Sequence, residues 1–148
     1  MKSVGIRVQP RKVTLLLKDL DAGQFAIPRL QREFVWNGPK AAKLLDSIYR
    51  GMPIGTVLIW EAAKSQRLHL RQRFHVLPAF NHHNAKVWFL VDGQQRVSVL
   101  FHVREGDCLQ NARRQEINFS RVVFSLEEEE DGQQIRYRRP IEGRYVSL

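Results

Sequence analysis

The sequence predicts an α+β domain in which helices and strands interleave. Two observations carry this. Apolar residues recur at helical spacing in three stretches, and β-branched or aromatic runs stand between and after them. No repeat at solenoid spacing and no low-complexity linker divides the chain. With 148 residues, there is room for one domain around a single buried core, so 1–148 is taken as one unit. Hydrophobic residues at 43% and charged residues at 26% exclude wholesale disorder.

Residues 13–25, VTLLLKDLDAGQF, read as a short helix closed by Gly23. AIPRLQREFVW follows, with Pro28 holding the chain extended before it. GPKAAKLLDSIYRGMP is the clearest helix. Pro39 lies in its first turn, Ala41, Leu44, Leu45, Ile48 and Met52 fall on one face, and Gly51 to Pro53 end it. GTVLIWE (55–61) reads as a strand, and 62–85 as a long loop or a hairpin with an insertion. AKVWFLVD (85–92) is an unbroken apolar run and predicts a strand buried on both faces. A helix from Asp92 to about Glu105 follows, ended by Gly106. Residues 121–139 predict a β-hairpin with Asp131-Gly132 at its turn. The chain stops at GRYVSL without an ending signal, and so reads as the N-terminal part of a longer protein.

Twenty-four basic residues against fifteen acidic ones give a formal charge of +9 and a pI near 10.3. That balance points to a polyanionic partner, nucleic acid before membrane. No apolar run approaches membrane-spanning length, and the first residues lack the apolar centre of a signal peptide. Cys108 is the single cysteine, so the chain forms no disulfide within itself and suits a reducing cytoplasm.

The informative stretch is FLVDGQQRVSVLFHV (89–103). Arg96 falls in the first turn of a helix, where the backbone dipole is already positive. The simpler reading is a cap, with Asp92 accepting from an early amide and Gln95 reaching back to the Asp92 amide. It accounts for neither Arg96 nor Gly93. Alternatively the turn is a phosphate site, in which Gly93 admits close backbone approach and Arg96 supplies charge-assisted hydrogen bonds. The residues alone leave both open. DGQQ recurs at Asp131–Gln134, but there isoleucine follows in place of arginine and the setting is a hairpin.

Three blocks in order, IPRLQREFVW (27–36), LLDSIYRGMPIGTVLIWE (44–61) and LVDGQQRVSVL (90–100), resemble the signature blocks of a restriction-associated family. It is the DGQQR-motif domain at the N-terminus of GmrSD-type modification-dependent restriction enzymes and related phage-defence proteins. That domain is similar to the ParB/sulfiredoxin-like fold, a small mixed sheet flanked by helices. The resemblance covers roughly residues 13–148. It implies binding of a nucleoside triphosphate, in some members with hydrolysis, coupled to cleavage of foreign or modified DNA by a C-terminal nuclease domain or a separate nuclease subunit. Carried over residue by residue, Gly93, Gln94, Gln95 and Arg96 form the phosphate turn. Gln31 and Arg32 reach the nucleotide from the first block. Asp92 and Arg96 take the catalytic roles, Asp92 as the holder of Mg²⁺ or its water. ParB places a glutamate inside its turn where glutamine stands here, which leaves Asp92 the only acid in the turn for a hard cation. The alternative is a non-catalytic ParB-like switch that binds nucleotide or DNA phosphate.

Other candidates have simpler readings. Arg67, Arg71 and Arg73 suit a DNA backbone or a solvated face. His69, His75, His82 and His83 lack an acid or cysteine nearby to complete a metal site. Trp60 and Trp88 read as core residues in strands, and Trp36 as the tryptophan placed to stack on a base. Asp46 and Arg50 read as a surface ion pair, and Glu127–Asp131 as a charged hairpin end. Cys108 reads as part of a polar loop with no evident base.

Overall fold

A computed structural model of the chain describes residues 5–63, 65, 76–127, 130–139 and 145–148. The described residues form a mixed α+β structure of three α-helices and eight short strands in three small sheets. Helix α1 (Val13–Asp21) buries Leu16 and Leu20 and ends just before Gly23, which is left-handed at φ 63°. Phe25, the last residue of the stretch read as helical, instead forms strand β1 (Phe25–Ala26) with its neighbour. It pairs in parallel with β3 (Lys86–Asp92), Phe25 opposite Trp88 and Ala26 opposite Phe89. Two residues are too few to show a period, so this strand leaves no pattern to read.

Helix α2 (Gly38–Tyr49) starts where Asn37 accepts from the Lys40 amide at 3.0 Å and Pro39 occupies the first turn. Its buried face is Ala41, Ala42 and Leu44, and a side chain at Gly38 would overlap the Tyr137 ring. Strand β2 (Leu58–Ala63) runs antiparallel to β3, so β3 lies between β1 and β2 in a mixed sheet. That central place explains its apolar run, with Val87, Phe89 and Leu90 buried, although Val91 and Asp92 at its end are exposed. Of the expected loop at 62–85, residues 64 and 66–75 fall outside the described residues, and with them Arg67, His69, Arg71, Arg73 and His75.

Helix α3 (Gln94–Glu105) is flanked by left-handed Gly93 and Gly106. It has no apolar stripe. Val97, Ser98, Val99, Leu100, His102 and Val103 are all buried, as in a helix surrounded by its own domain. After it come β4 (Cys108–Gln110) and β5 (Glu116–Asn118), an antiparallel pair in a stretch expected to be loop. Cys108 therefore lies on a strand, though exposed. The third sheet has β6 (Val122–Ser125) between β7 (Ile135–Tyr137) and β8 (Tyr145–Ser147). The expected hairpin is β6–β7, with Phe124 opposite Ile135, so Asp131-Gly132 lies off the centre of a longer connection.

One core cluster joins α1, α2, α3 and all three sheets through Leu20, Leu44, Leu90, Val97, Leu109 and Val122, among others. A smaller one, Ala26, Ala62, Phe80, Val87 and Phe89, lies on the first sheet.

Candidate functional site

The turn between β3 and α3 is built by Gly93 and Arg96 together with Gly55 from the loop after α2. Gly93 has φ 88°, the left-handed region that side chains avoid, and a Cβ there would lie 3.1 Å from Val57 Cγ2 and 3.2 Å from Arg96 Nη2. Gly55, at φ 86°, has no room for a side chain either, because Arg96 Nη1 occupies that space. The guanidinium therefore lies against two residues without side chains. Its Nη1 donates to the Ile54 carbonyl at 2.7 Å and its Nη2 to the Thr56 carbonyl at 2.6 Å. Asp92 Oδ2 is 3.5 Å away, at the limit of an ion pair, on a side chain 70% exposed. Arg96 thus has partners for its guanidinium without any bound anion: it ties the loop after α2 to the start of α3.

The capping expectation is overturned. Gly93, not Asp92, is the N-cap, and no side chain caps the helix. The left-handed turn at Gly93 carries Asp92 out to solvent. Gln95, expected to reach back to the Asp92 amide, is buried and faces the other way. Its Oε1 accepts from the amides of Val35, at 2.8 Å, and Trp36, at 3.3 Å, and its Nε2 donates to the Glu33 carbonyl at 3.1 Å. Residues 33–36 belong to no strand, so this side-chain amide takes the place of a sheet neighbour.

Gln31 fixes the same segment from its other end by donating to the Val91 carbonyl. Arg32 stands between these anchors, beside the turn, exposed and without a partner among the described residues. The first and third blocks are therefore brought together.

Gln94 is the residue of the turn that this framework does not use. It is 4% exposed, and its Oε1 is buried with no hydrogen-bond partner among the described residues. It lines a cavity of about 740 Å³ whose apolar wall is Ile27, Phe34, Val76 and Leu109. Leu109 comes from the β4–β5 hairpin, which also contributes Cys108, Arg114 and Glu116 to the lining. The turn joining these strands is held by Asn111. Its Oδ1 accepts from the amides of Arg113 and Gln115, its Nδ2 donates to the Trp36 carbonyl, and the Ala112 amide donates to the Phe34 carbonyl at 2.7 Å. Sequence reasoning missed this hairpin because its strands are three residues each.

Asp46 and Arg50 are not a surface ion pair. Asp46 is buried; its Oδ1 accepts from the amides of Gln134 and Ile135, at 2.8 and 3.0 Å, and its Oδ2 meets Arg50 Nε at 2.8 Å. Arg50 also donates to the Gly132 carbonyl. The second DGQQ is thus held to α2 through its backbone. Asp131 pairs with Arg136, whose side chain holds the carboxyl below its usual range.

Of the tryptophans, Trp88 meets Phe25 edge-on and donates to Glu61 at 3.1 Å. Trp60, expected in the core, stacks on Phe89 but is half exposed. Trp36 packs on the core beneath the Lys40 ammonium, 4.7 Å from its ring. No group of three or more potential metal ligands occurs among the described residues, and none of their helices is long and apolar enough to cross a membrane.

Fold and turn together define an α+β domain organised by one strand–turn–helix to which an N-terminal segment is fastened. The chain belongs to the family described as GmrSD restriction endonuclease, N-terminal domain, which matches residues 13–145. An uncharacterized protein of Methanocaldococcus jannaschii is 31% identical over 91 residues, 59% of this chain and 16% of that protein. The chain thus spans less than a fifth of the length of that relative.

Proposed function

We propose that this chain is the nucleotide-binding domain of a restriction or phage-defence protein, coupling a nucleoside triphosphate to cleavage of foreign or modified DNA. The observation that carries the reading is the start of α3, a glycine-turned helix N-terminus that no side chain caps. Arg32, exposed and without a partner among the described residues, would be the cation to meet a phosphate. A ParB/sulfiredoxin-like fold agrees with this arrangement. Mg²⁺ would arrive with the nucleotide, with exposed Asp92 as the carboxylate for one of its waters. DNA cleavage would belong to a nuclease part, whether a C-terminal domain or a separate subunit. The charge of +9 supports DNA as a partner.

Calorimetric titration with each nucleoside triphosphate, with and without Mg²⁺, tests this. Wild-type chain is expected to bind saturably, and Arg32→Ala to bind at least tenfold more weakly with unchanged thermal stability. Absence of binding by the wild type would overturn the reading.

One observation favours the alternative of a switch without chemistry. Arg96, the arginine assigned to stabilise developing phosphate charge, already donates to two carbonyls. Saturable binding without phosphate release by the full-length protein would support the switch, and turnover would exclude it.

A further inference from the structure

Resting on the nucleotide reading, we infer that the cavity beside α3 is a nucleobase subsite, and that the Gln94 side chain reads the base edge while the phosphates stay outside at the helix start. Its volume, about 740 Å³, falls within the range of small-molecule sites. Its charge argues against phosphate. Acidic Glu33 and Glu116 stand among the lining residues with basic Arg114, a set that offers a triphosphate no excess of cations.

The apolar wall of Ile27, Phe34, Val76 and Leu109 suits the faces of a flat ring. Gln94 supplies the edge. A buried amide oxygen without a partner is costly to retain, and a primary amide presents a donor and an acceptor side by side, the pattern that matches base edges. Gln94 also joins the two halves of the proposed site. As the first residue of α3, its backbone amide lies at the helix start, and its side chain lines the cavity. A nucleotide spanning the two would account for both features of one residue.

Cys108 makes the subsite testable, because it lines the cavity, is exposed, and is the chain's single cysteine. The rate of its alkylation is to be measured with a nucleoside triphosphate, with inorganic tripolyphosphate, and with neither, alongside calorimetry of both ligands. Protection by the nucleotide but not by tripolyphosphate is expected. Gln94→Leu is expected to lose that protection and to weaken nucleotide binding at least tenfold, with tripolyphosphate affinity unchanged. Ala112→Trp, which adds bulk at the exposed rim, is expected to do the same.

Nucleotide binding that leaves Cys108 as reactive as before, or that Gln94→Leu and Ala112→Trp do not weaken, would overturn the base subsite and keep the nucleotide reading. Equal protection by tripolyphosphate would do likewise. Failure of the wild type to bind either ligand would overturn both.

Discussion

The Arg96 guanidinium donates to the Ile54 carbonyl at 2.7 Å across 42 residues of sequence, and to the Thr56 carbonyl at 2.6 Å. These bonds hold the loop after α2 against the start of α3. Arg96→Ala is therefore expected to lower stability by roughly 2–3 kcal/mol, the scale of hydrogen bonds from a charged group. Arg96→Lys is expected to recover little, because an ammonium cannot reproduce the planar fork. Urea unfolding of both variants gives the comparison. A wild-type midpoint for Arg96→Ala would show that these bonds contribute nothing net.

Gln95 supplies a surrogate strand edge to residues 33–36. Gln95→Ala leaves the Val35 and Trp36 amides and the Glu33 carbonyl without this partner, at a cost of about 2–4 kcal/mol. Amide hydrogen exchange at Val35 is expected to accelerate more than exchange at Val97, which bonds within α3's own first turn. Equal acceleration at both would point to global unfolding alone.

Gly93→Ala combines a left-handed backbone with a contact 3.1 Å from Val57. About 1–3 kcal/mol of destabilisation is expected. Pairing it with Val57→Ala separates the causes. Relief of the contact should recover part of the loss, whereas the backbone penalty should remain.

Asp46→Ala removes the acceptor for the Gln134 and Ile135 amides and strands Arg50, so about 3 kcal/mol is expected to be lost. Asp46→Asn keeps an oxygen for the amides and should fall between. A thermal melt of each variant orders the three proteins.

Glu61 contributes to acid sensitivity. The Lys86 ammonium, bonded at 2.5 Å, and then the Trp88 N–H hold its carboxyl below the ordinary glutamate value of 4.5. A lowered folded-state value means stability that is fully present above the ordinary value and is lost as pH falls through the lowered one. Glu61→Gln is expected to flatten the acid side of the stability profile and to change neutral stability by less than ~1 kcal/mol, since the pair is exposed. An unchanged acid limb would remove Glu61 from the account.

The longer elements were legible in the sequence for physical reasons. Helix α2 carries a proline start, a face at helical spacing and a glycine end, and β3 carries an apolar run that only a central strand needs. Strands β1, β4 and β5 were not legible, because two or three residues show no period and owe their pairing to distant partners. The strand–turn–helix of the candidate site was legible as well. What the letters DGQQR did not disclose was the division of labour within them. Gln94 and Gln95 are adjacent and chemically identical, yet a helix points them about 100° apart. One therefore faces a cavity and the other faces residues 33–36.

The Gln95 contacts have a consequence for synthesis on the ribosome. They link residues about 60 apart, so the segment through Trp36 emerges well before the side chain that secures it. Until the turn after β3 has left the exit tunnel, that segment lacks its amide partner and β1 lacks its neighbour β3. Folding of the N-terminal quarter is thereby deferred to the arrival of the DGQQR turn, and a nascent chain halted before residue 90 would present Phe25 and Phe34 to whatever holds unfolded chains.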